Sequence, residues 1–318
     1  MRWASALALA LAIGAAGAQS DYPVRPVRII VPSPPSGGTD IVARVLAQHF
    51  SNAFGQQFFV ENKPGAGNVI GIEAAARAAP DGYTLLVSAS TIALNSVLYK
   101  KVPYDPVRDF APITLAATAP NILVVNPKLS LKTLADLIAA AKAQPGKLTY
   151  GTPGIGTSPH LCMELFKSMA GVDLQHVPYK GTAAAVMDII GGQIDVAFAT
   201  ALTAKPLIDA GRLRALAVSG PRRVEALPGV PPVAEAGVPG YEAMQWYGLL
   251  APAGTPSAII ERVHAEAMVA LRSPEMKARL AADGAEPSGT TPAEFGAYIK
   301  RELQKWSRVR DAAHIERQ

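Results

Sequence analysis

Two short stretches combine glycine, hydroxyl side chains and a helix start, the residue types that hold an anion without formal positive charge. The first is Pro34-Pro35-Ser36-Gly37-Gly38-Thr39-Asp40 and the second is Gly154-Ile155-Gly156-Thr157-Ser158-Pro159-His160. Glycine lets consecutive backbone N–H groups turn outward, and the first amides of a helix carry partial positive charge and have no partner within the helix. Ser36 and Thr39 add hydroxyl donors to the first stretch, Thr157 and Ser158 to the second. Asp40 is placed to cap the amides of its own loop. His160 reads either as a ligand contact or as a half-exposed residue of the helix start. Each stretch alone also reads as a tight turn into a helix. At matching positions in two halves of one chain, they point to a cleft with a donor set on each wall, because α/β proteins bind ligands at the carboxyl ends of their strands.

The elements around them fit that placement. Val27–Val31 is a short apolar run closed by Pro32, the form of a buried strand. A helix from Gly38 or Thr39 carries Ile41, Val42, Val45, Leu46 and Phe50 on one face. Phe58-Phe59-Val60 is a second strand, Val69 to Ala78 a helix and Tyr83 to Val87 a third strand. This β-α-β-α-β order implies a parallel sheet with right-handed crossovers. The β-prone run Phe110 to Asn126 breaks the rhythm at Ala119-Pro120 and reads as a crossing into a second domain. There the alternation resumes, with helices at Leu134–Ala143, Ser158–Ala170 and Ala183–Ile190, and strands at Leu148–Tyr150, Gln175–Val177, Ile194–Phe198 and Leu213–Val218. From about Val230 the chain returns to the first domain, with a strand at Trp246–Leu250 and three closing helices. Those helices start at Thr255-Pro256, Ser273-Pro274 and Thr291-Pro292, an N-cap followed by Pro at the first helical position. Glu294 completes a capping box. Phe295, Ile299, Leu303 and Trp306 form a packing stripe.

Searches for catalytic machinery find none. The sequence lacks a G-x-S-x-G elbow, a Walker loop, an H-E-x-x-H pair and paired cysteines. Its five histidines have no metal-ligand spacing, so no metal or cofactor is expected. The stretch Gly65-Ala66-Gly67-Asn68-Val69-Ile70-Gly71 is one residue too long for a dinucleotide fingerprint and reads as a loop into a helix. The only cysteine, Cys162, lies among Leu161, Leu165 and Phe166 and reads as a buried small hydrophobe. A net charge of +5 is spread along the chain. No basic stripe interleaved with aromatics marks a nucleic-acid surface. At the amino terminus Arg2, the apolar run Trp3–Ile13 and Ala16-Gly17-Ala18 form a secretory signal, 1–18, cleaved to leave Gln19. The run is shorter than the ~20 residues a spanning helix needs.

Longer motifs run through the rest of the chain. They include Val27-Arg28-Ile29-Ile30-Val31-Pro32, Gly37-Gly38-Thr39-Asp40, Val60-Glu61-Asn62-Lys63-Pro64-Gly65-Ala66-Gly67 and Ala79-Pro80-Asp81-Gly82-Tyr83-Thr84-Leu85. Tyr104-Asp105-Pro106, Asp109-Phe110-Ala111-Pro112, Val177-Pro178-Tyr179-Lys180-Gly181 and Pro232-Val233-Ala234-Glu235-Ala236-Gly237 follow. The last are Gly248-Leu249-Leu250-Ala251-Pro252-Ala253-Gly254-Thr255-Pro256 and Gly284-Ala285-Glu286-Pro287. In these the chain resembles the solute-binding receptors of tripartite tricarboxylate transporters, the Bug-type family.

The resemblance implies a two-lobed, flytrap α/β fold of the periplasmic-binding-protein kind, with mostly parallel sheets flanked by helices and a ligand cleft between the lobes. The first lobe is 21–115 with 230–318 and the second is 116–229. It further implies a non-catalytic, periplasmic and monomeric receptor that hands a small carboxylate to membrane permease subunits. The carboxylate would sit in a pincer of backbone amides, hydroxyls and ordered waters. The matching positions run from Ser33 through Pro35, Ser36, Gly37, Gly38 and Thr39 to Asp40. On the other wall they run from Gly154 through Ile155, Gly156, Thr157 and Ser158 to His160. Ser88, Ser90, Thr91, Asn95, Ala199 and Thr200 would line the rest. Two departures matter. The family commonly has an aromatic residue at Ser33 and Gly at Ser36, and often Asp-Asn at Thr200-Ala201, so no particular ligand carries over. An exported α/β hydrolase using Ser158 and His160, or a sensor with the same flytrap, are the other readings.

Overall fold

The computed structural model of the chain describes residues 22–35, 37–179, 181–281 and 284–317. The expected signal segment, 1–18, and Ser36 lie outside the described residues.

β1 (Val27–Val31) buries Val27, Ile29, Ile30 and Val31 completely. A strand apolar on both faces belongs inside a parallel sheet. β1 accordingly lies between β2 (Phe58–Asn62) and β3 (Thr84–Ala89), parallel to both. Its one charged residue, Arg28, reaches Glu61 at 3.1 Å and Thr84 at 3.2 Å on those neighbours. α1 (Gly38–Phe54) packs Val42, Val45, Leu46 and Phe50 on this sheet and stops at Gly55, whose φ of 66° only glycine takes freely. α2 (Val69–Ala76) and α3 (Thr91–Leu98) complete this part.

The expected crossing is one strand, β4 (Phe110–Val125). Beyond it come α4 (Leu134–Ala143), β5 (Thr149–Thr152), α5 (Ser158–Ala170), β6 (Gln175–Pro178), α6 (Thr182–Gly191), β7 (Val196–Thr200), α7 (Ala201–Asp209) and β8 (Arg214–Val218). β5 lies between β6 and β7, again parallel to both. The chain then returns through β9 (Met244–Pro252), α8 (Ser257–Arg272), α9 (Pro274–Ala281), β10 (Glu286–Pro287) and α10 (Pro292–Ala312). The strand order is β2-β1-β3-β9-β4-β7-β5-β6, with β8 and β10 also on β4.

The parallel pairing expected from the alternation holds in the outer strands. The centre is antiparallel, because β9 runs against both β3 and β4, and β4 runs against β7 and β8. Residues 110–120 of β4 pair with β9, and residues 121–125 with β7 and β8. One knot secures that change of partners. Ser219, with no exposure, receives Asn121 N–H on its Oγ at 2.8 Å, donates that hydroxyl to Ala243 O at 2.5 Å and bonds both neighbours again through its own backbone.

The stripe on α10 packs as its spacing predicts, but on two cores. Phe295 and Ile299 join the cluster around Ile30, Leu86 and Trp246. Trp306 and Val309 join the cluster around Leu161, Phe166 and Tyr241. Thr291 and Glu294 form the expected capping box, and Ser273 Oγ accepts from Met276 N–H at 3.1 Å. The start at Thr255 differs. Its hydroxyl donates to Pro252 O, and Pro256 is the cap residue rather than the first helical one. Cys162 is fully buried, which pushes its thiol up to about 11 and leaves it inert.

Candidate ligand-binding site

The strand registers bring the two halves to one place. β3 ends at Ala89, level with Tyr247 of β9, which is level with Ala117 of β4. β7 runs the opposite way and ends at Thr200, level with Asn121 of β4. The two carboxyl ends point at each other across four residues of one strand, about 13 Å. β1 lies parallel beside β3 and β5 parallel beside β7, so the turns leaving β1, β3, β5 and β7 open toward the same belt. Helices α1, α3, α5 and α7 start there, and none has its first amides capped by a side chain. Uncapped amides at helix starts favour an anion.

The first loop, from Ser33 to Asp40, is held from outside. Asn62, the last residue of β2, donates its side-chain amide to Ser33 O at 3.0 Å and to Asp40 Oδ1 at 2.9 Å. Arg44 donates to the other oxygen of Asp40 at 2.8 Å and to Asn62 Oδ1 at 3.2 Å. The Asp40 carboxylate thus joins a network linking α1 to β2, beyond the amide-capping role expected of it. Asp40 and Thr39 are buried, Gly38 is half-buried, and Pro35 and Gly37 are exposed. Gly37 has a φ of −86°, open to any residue, and a Cβ there would meet nothing closer than 4.0 Å. Ser33 Oγ is buried and without a partner among the described residues.

The second loop, from Gly154 to His160, is held from beneath. Gly154 and Gly156 have φ of 133° and 80°, conformations that side chains resist. Gly154 N–H donates to Thr152 Oγ1 at 3.2 Å, and Thr157 Oγ1 donates back to Gly154 O at 2.7 Å. Gly156 N–H donates to His160 Nδ1 at 3.3 Å. His160 is 4 % exposed, so it is not the half-exposed residue of the second reading. Burial, with the nearby His176 ring second, pushes it down to about 4, and it is a neutral hydrogen-bond acceptor. Ile155, at the tip, is 47 % exposed. A Cβ on Gly156 would lie 3.1 Å from Leu98 Cδ1, so this loop rests against α3 from the other half.

The remaining expected residues divide. Ser90 Oγ donates to Gln245 at 2.7 Å, and Ser88 Oγ, fully buried, donates to Ala89 O at 3.2 Å; both hydroxyls brace the sheet. Thr91 Oγ1 accepts from Asn68 at 3.0 Å, and Asn95 donates to Gly67 O at 2.7 Å, tying α3 to the loop after β2. Thr200 Oγ1 lies 3.1 Å from Thr203 Oγ1. Ser158 Oγ accepts from Asn121 Nδ2 at 3.0 Å. No hydrogen bond among the described residues joins Ser158 to His160, and the nearby Glu164 is engaged by Tyr150 and Lys167. That arrangement supplies no base for a serine nucleophile. Sequence reasoning missed Asn62, Asn121 and His176. Asn121 stands at a register point that only β7 defines, and nothing in its apolar surroundings marks it.

The fold is that of the periplasmic binding proteins. The family model described as tripartite tricarboxylate transporter family receptor (TctC) matches residues 42–315, and the chain belongs to that family. It is 39% identical to the protein BugT of Bordetella pertussis over 290 residues, 91% of this chain and 89% of that one. It is similar to an R. palustris protein solved with adipate, at 36% identity, a TM-score of 0.81 and coverage of 93% and 99% of the two chains. MatC of Rhodopseudomonas palustris with bound malate is 30% identical, with a TM-score of 0.77 and coverage of 91% and 99%. These relatives are receptors by family or by bound solute, not enzymes.

Proposed function

We propose that this chain captures a small organic carboxylate between two lobes, 21–115 with 230–318 and 116–229, and delivers it to the permease subunits of a tripartite tricarboxylate transporter. The observation that carries this reading is the meeting of opposed strand ends between Ala117 and Asn121. Backbone amides at Gly37–Asp40 and, on the second loop, those of Ile155 and Ser158 receive the carboxylate, with the hydroxyls of Ser33, Thr39 and Thr200 and ordered waters completing its shell. The solutes of the R. palustris neighbours, both dicarboxylates, support this class. The protein acts as a monomer and without catalysis. It is exported by the segment 1–18, which is removed, and it works in the periplasm. Among the described residues no helix is long and apolar enough to cross a membrane, and no group of three His, Cys, Asp or Glu is arranged for a metal.

Ligand closes the lobes only by its higher affinity for the closed form. The test is a thermal-shift screen of protein freed of bound solute by unfolding and refolding, with adipate, malate, monocarboxylates, aromatic acids and neutral analogues. A ligand at 100 times its Kd adds about 2.7 kcal/mol, read as a higher Tm. Stabilisation by acids and not by their amides supports the reading. A folded sample that no acid stabilises rejects it.

A further inference from the structure

Beneath the second loop lies a group of buried and half-buried titratable side chains that neither the pincer nor any catalytic scheme uses. The His160 ring sits 4.7 Å from the His176 ring, and His176 stacks on Tyr150 at 4.8 Å. His176 Nε2 is 2.6 Å from Thr152 Oγ1, the same oxygen that accepts Gly154 N–H. His160 Nδ1 accepts Gly156 N–H. Two of the loop's amides therefore end on imidazole, one directly and one through a single hydroxyl. A backbone N–H is always a donor, so this contact fixes His160 Nδ1 as unprotonated and puts the ring proton on Nε2.

We propose that His160 is a positioning residue, which sets the Gly154–Gly156 turn for ligand through this acceptor nitrogen and only while its ring is neutral. The inference rests on the reading of this loop as one wall of the carboxylate site. A proton on Nδ1 would set two donors face to face, and the Gly156 amide would have to leave. The glycines make that movement cheap, because each stands at positive φ and Ile155 between them is exposed. The charged and titratable groups acting on His160 are His176 from β6 and Glu164 and Lys167 from α5 itself, with Tyr150 from β5 behind His176. Glu164 pairs with Lys167 at 2.9 Å and accepts from the Tyr150 hydroxyl, and burial, outweighing the Glu164 charge, lowers both histidines. The latch is thus shut at neutral pH. Since His160 is lowered from 6.5 to about 4, its contribution is full above about 6.5 and is lost as pH falls through about 4. A solute held at neutral pH is released in acid, in excess of what its own protonation explains.

The test needs no ligand. Amide hydrogen exchange at Gly156 is followed by NMR in the full chain, with the ¹⁵N shifts of the His160 ring as a second reading. Protection should fall about tenfold in His160→Leu, the factor one net hydrogen bond is worth. It should return in large part in His160→Asn, whose amide oxygen takes the place of Nδ1 but does not titrate. The wild type should lose protection toward pH 4, and His160→Asn should not. Equal protection in His160→Leu and the wild type, both shown folded by near-UV circular dichroism, overturns the proposal. So does a His160 ring protonated on Nδ1 at pH 7. Failure of every acid to bind the wild type would instead reject the carboxylate site, whatever the exchange data give.

Discussion

The two loops proposed to hold the ligand present helix-start amides to the same belt but are built from opposite materials. The first, before α1, is braced from the side by formal charge, with Asp40 between Arg44 and Asn62. The second, before α5, is braced from below by neutral rings and a threonine hydroxyl. The first uses ordinary backbone angles at Gly37, the second glycine-only angles at Gly154 and Gly156. A charged brace resists distortion and is insensitive to moderate acid. A glycine turn on imidazole is easily reshaped. The first loop is the fixed jaw and the second the adjustable one.

The largest effect that would break this contrast is at the fixed jaw. Asp40→Ala strips Arg44 and the Asn62 amide of their shared acceptor and should cost about 2 kcal/mol in urea unfolding. A loss as small as that of an exposed substitution would mean that the ionic network is ornamental. Gly154→Ala comes next. The φ of 133° is foreign to alanine, so the substitution should cost about 1–2 kcal/mol and weaken carboxylate binding with it. Gly37→Ala sharpens the difference. Its backbone is unstrained and its surroundings are open, so stability should change by less than about 0.5 kcal/mol on the same urea curves. The smallest effect is that of salt. Raising ionic strength should leave Gly156 exchange unchanged, since no charge holds that amide, a point the NMR series above reads directly.

Much of this was legible beforehand. The apolar run Val27–Val31, the α1 face and the paired cap signals at Ser273 and Thr291 are local, and the elements formed where those signals stand. The two loops were found because glycine, hydroxyl and helix start adjoin in sequence. What escaped was set by distance. α3 and α7 have Ser90 and Thr200 at their caps, but each helix is short, and Pro206 inside α7 reads as a breaker. The antiparallel centre depends on β9 entering between β3 and β4 from far along the chain. The braces escaped for the same reason, since Asn62 and His176 lie on neighbouring strands rather than in the loops they hold.

The path of β4 bears on how the molecule comes into being. β3 and β4 both wait for β9, and β10 is later still. A nascent chain that has reached Val125 therefore has no finished sheet, and every closing contact joins residues remote in sequence. Such topologies fold slowly. Under the export proposed above, that slowness would keep the chain extended until β9 has crossed the membrane.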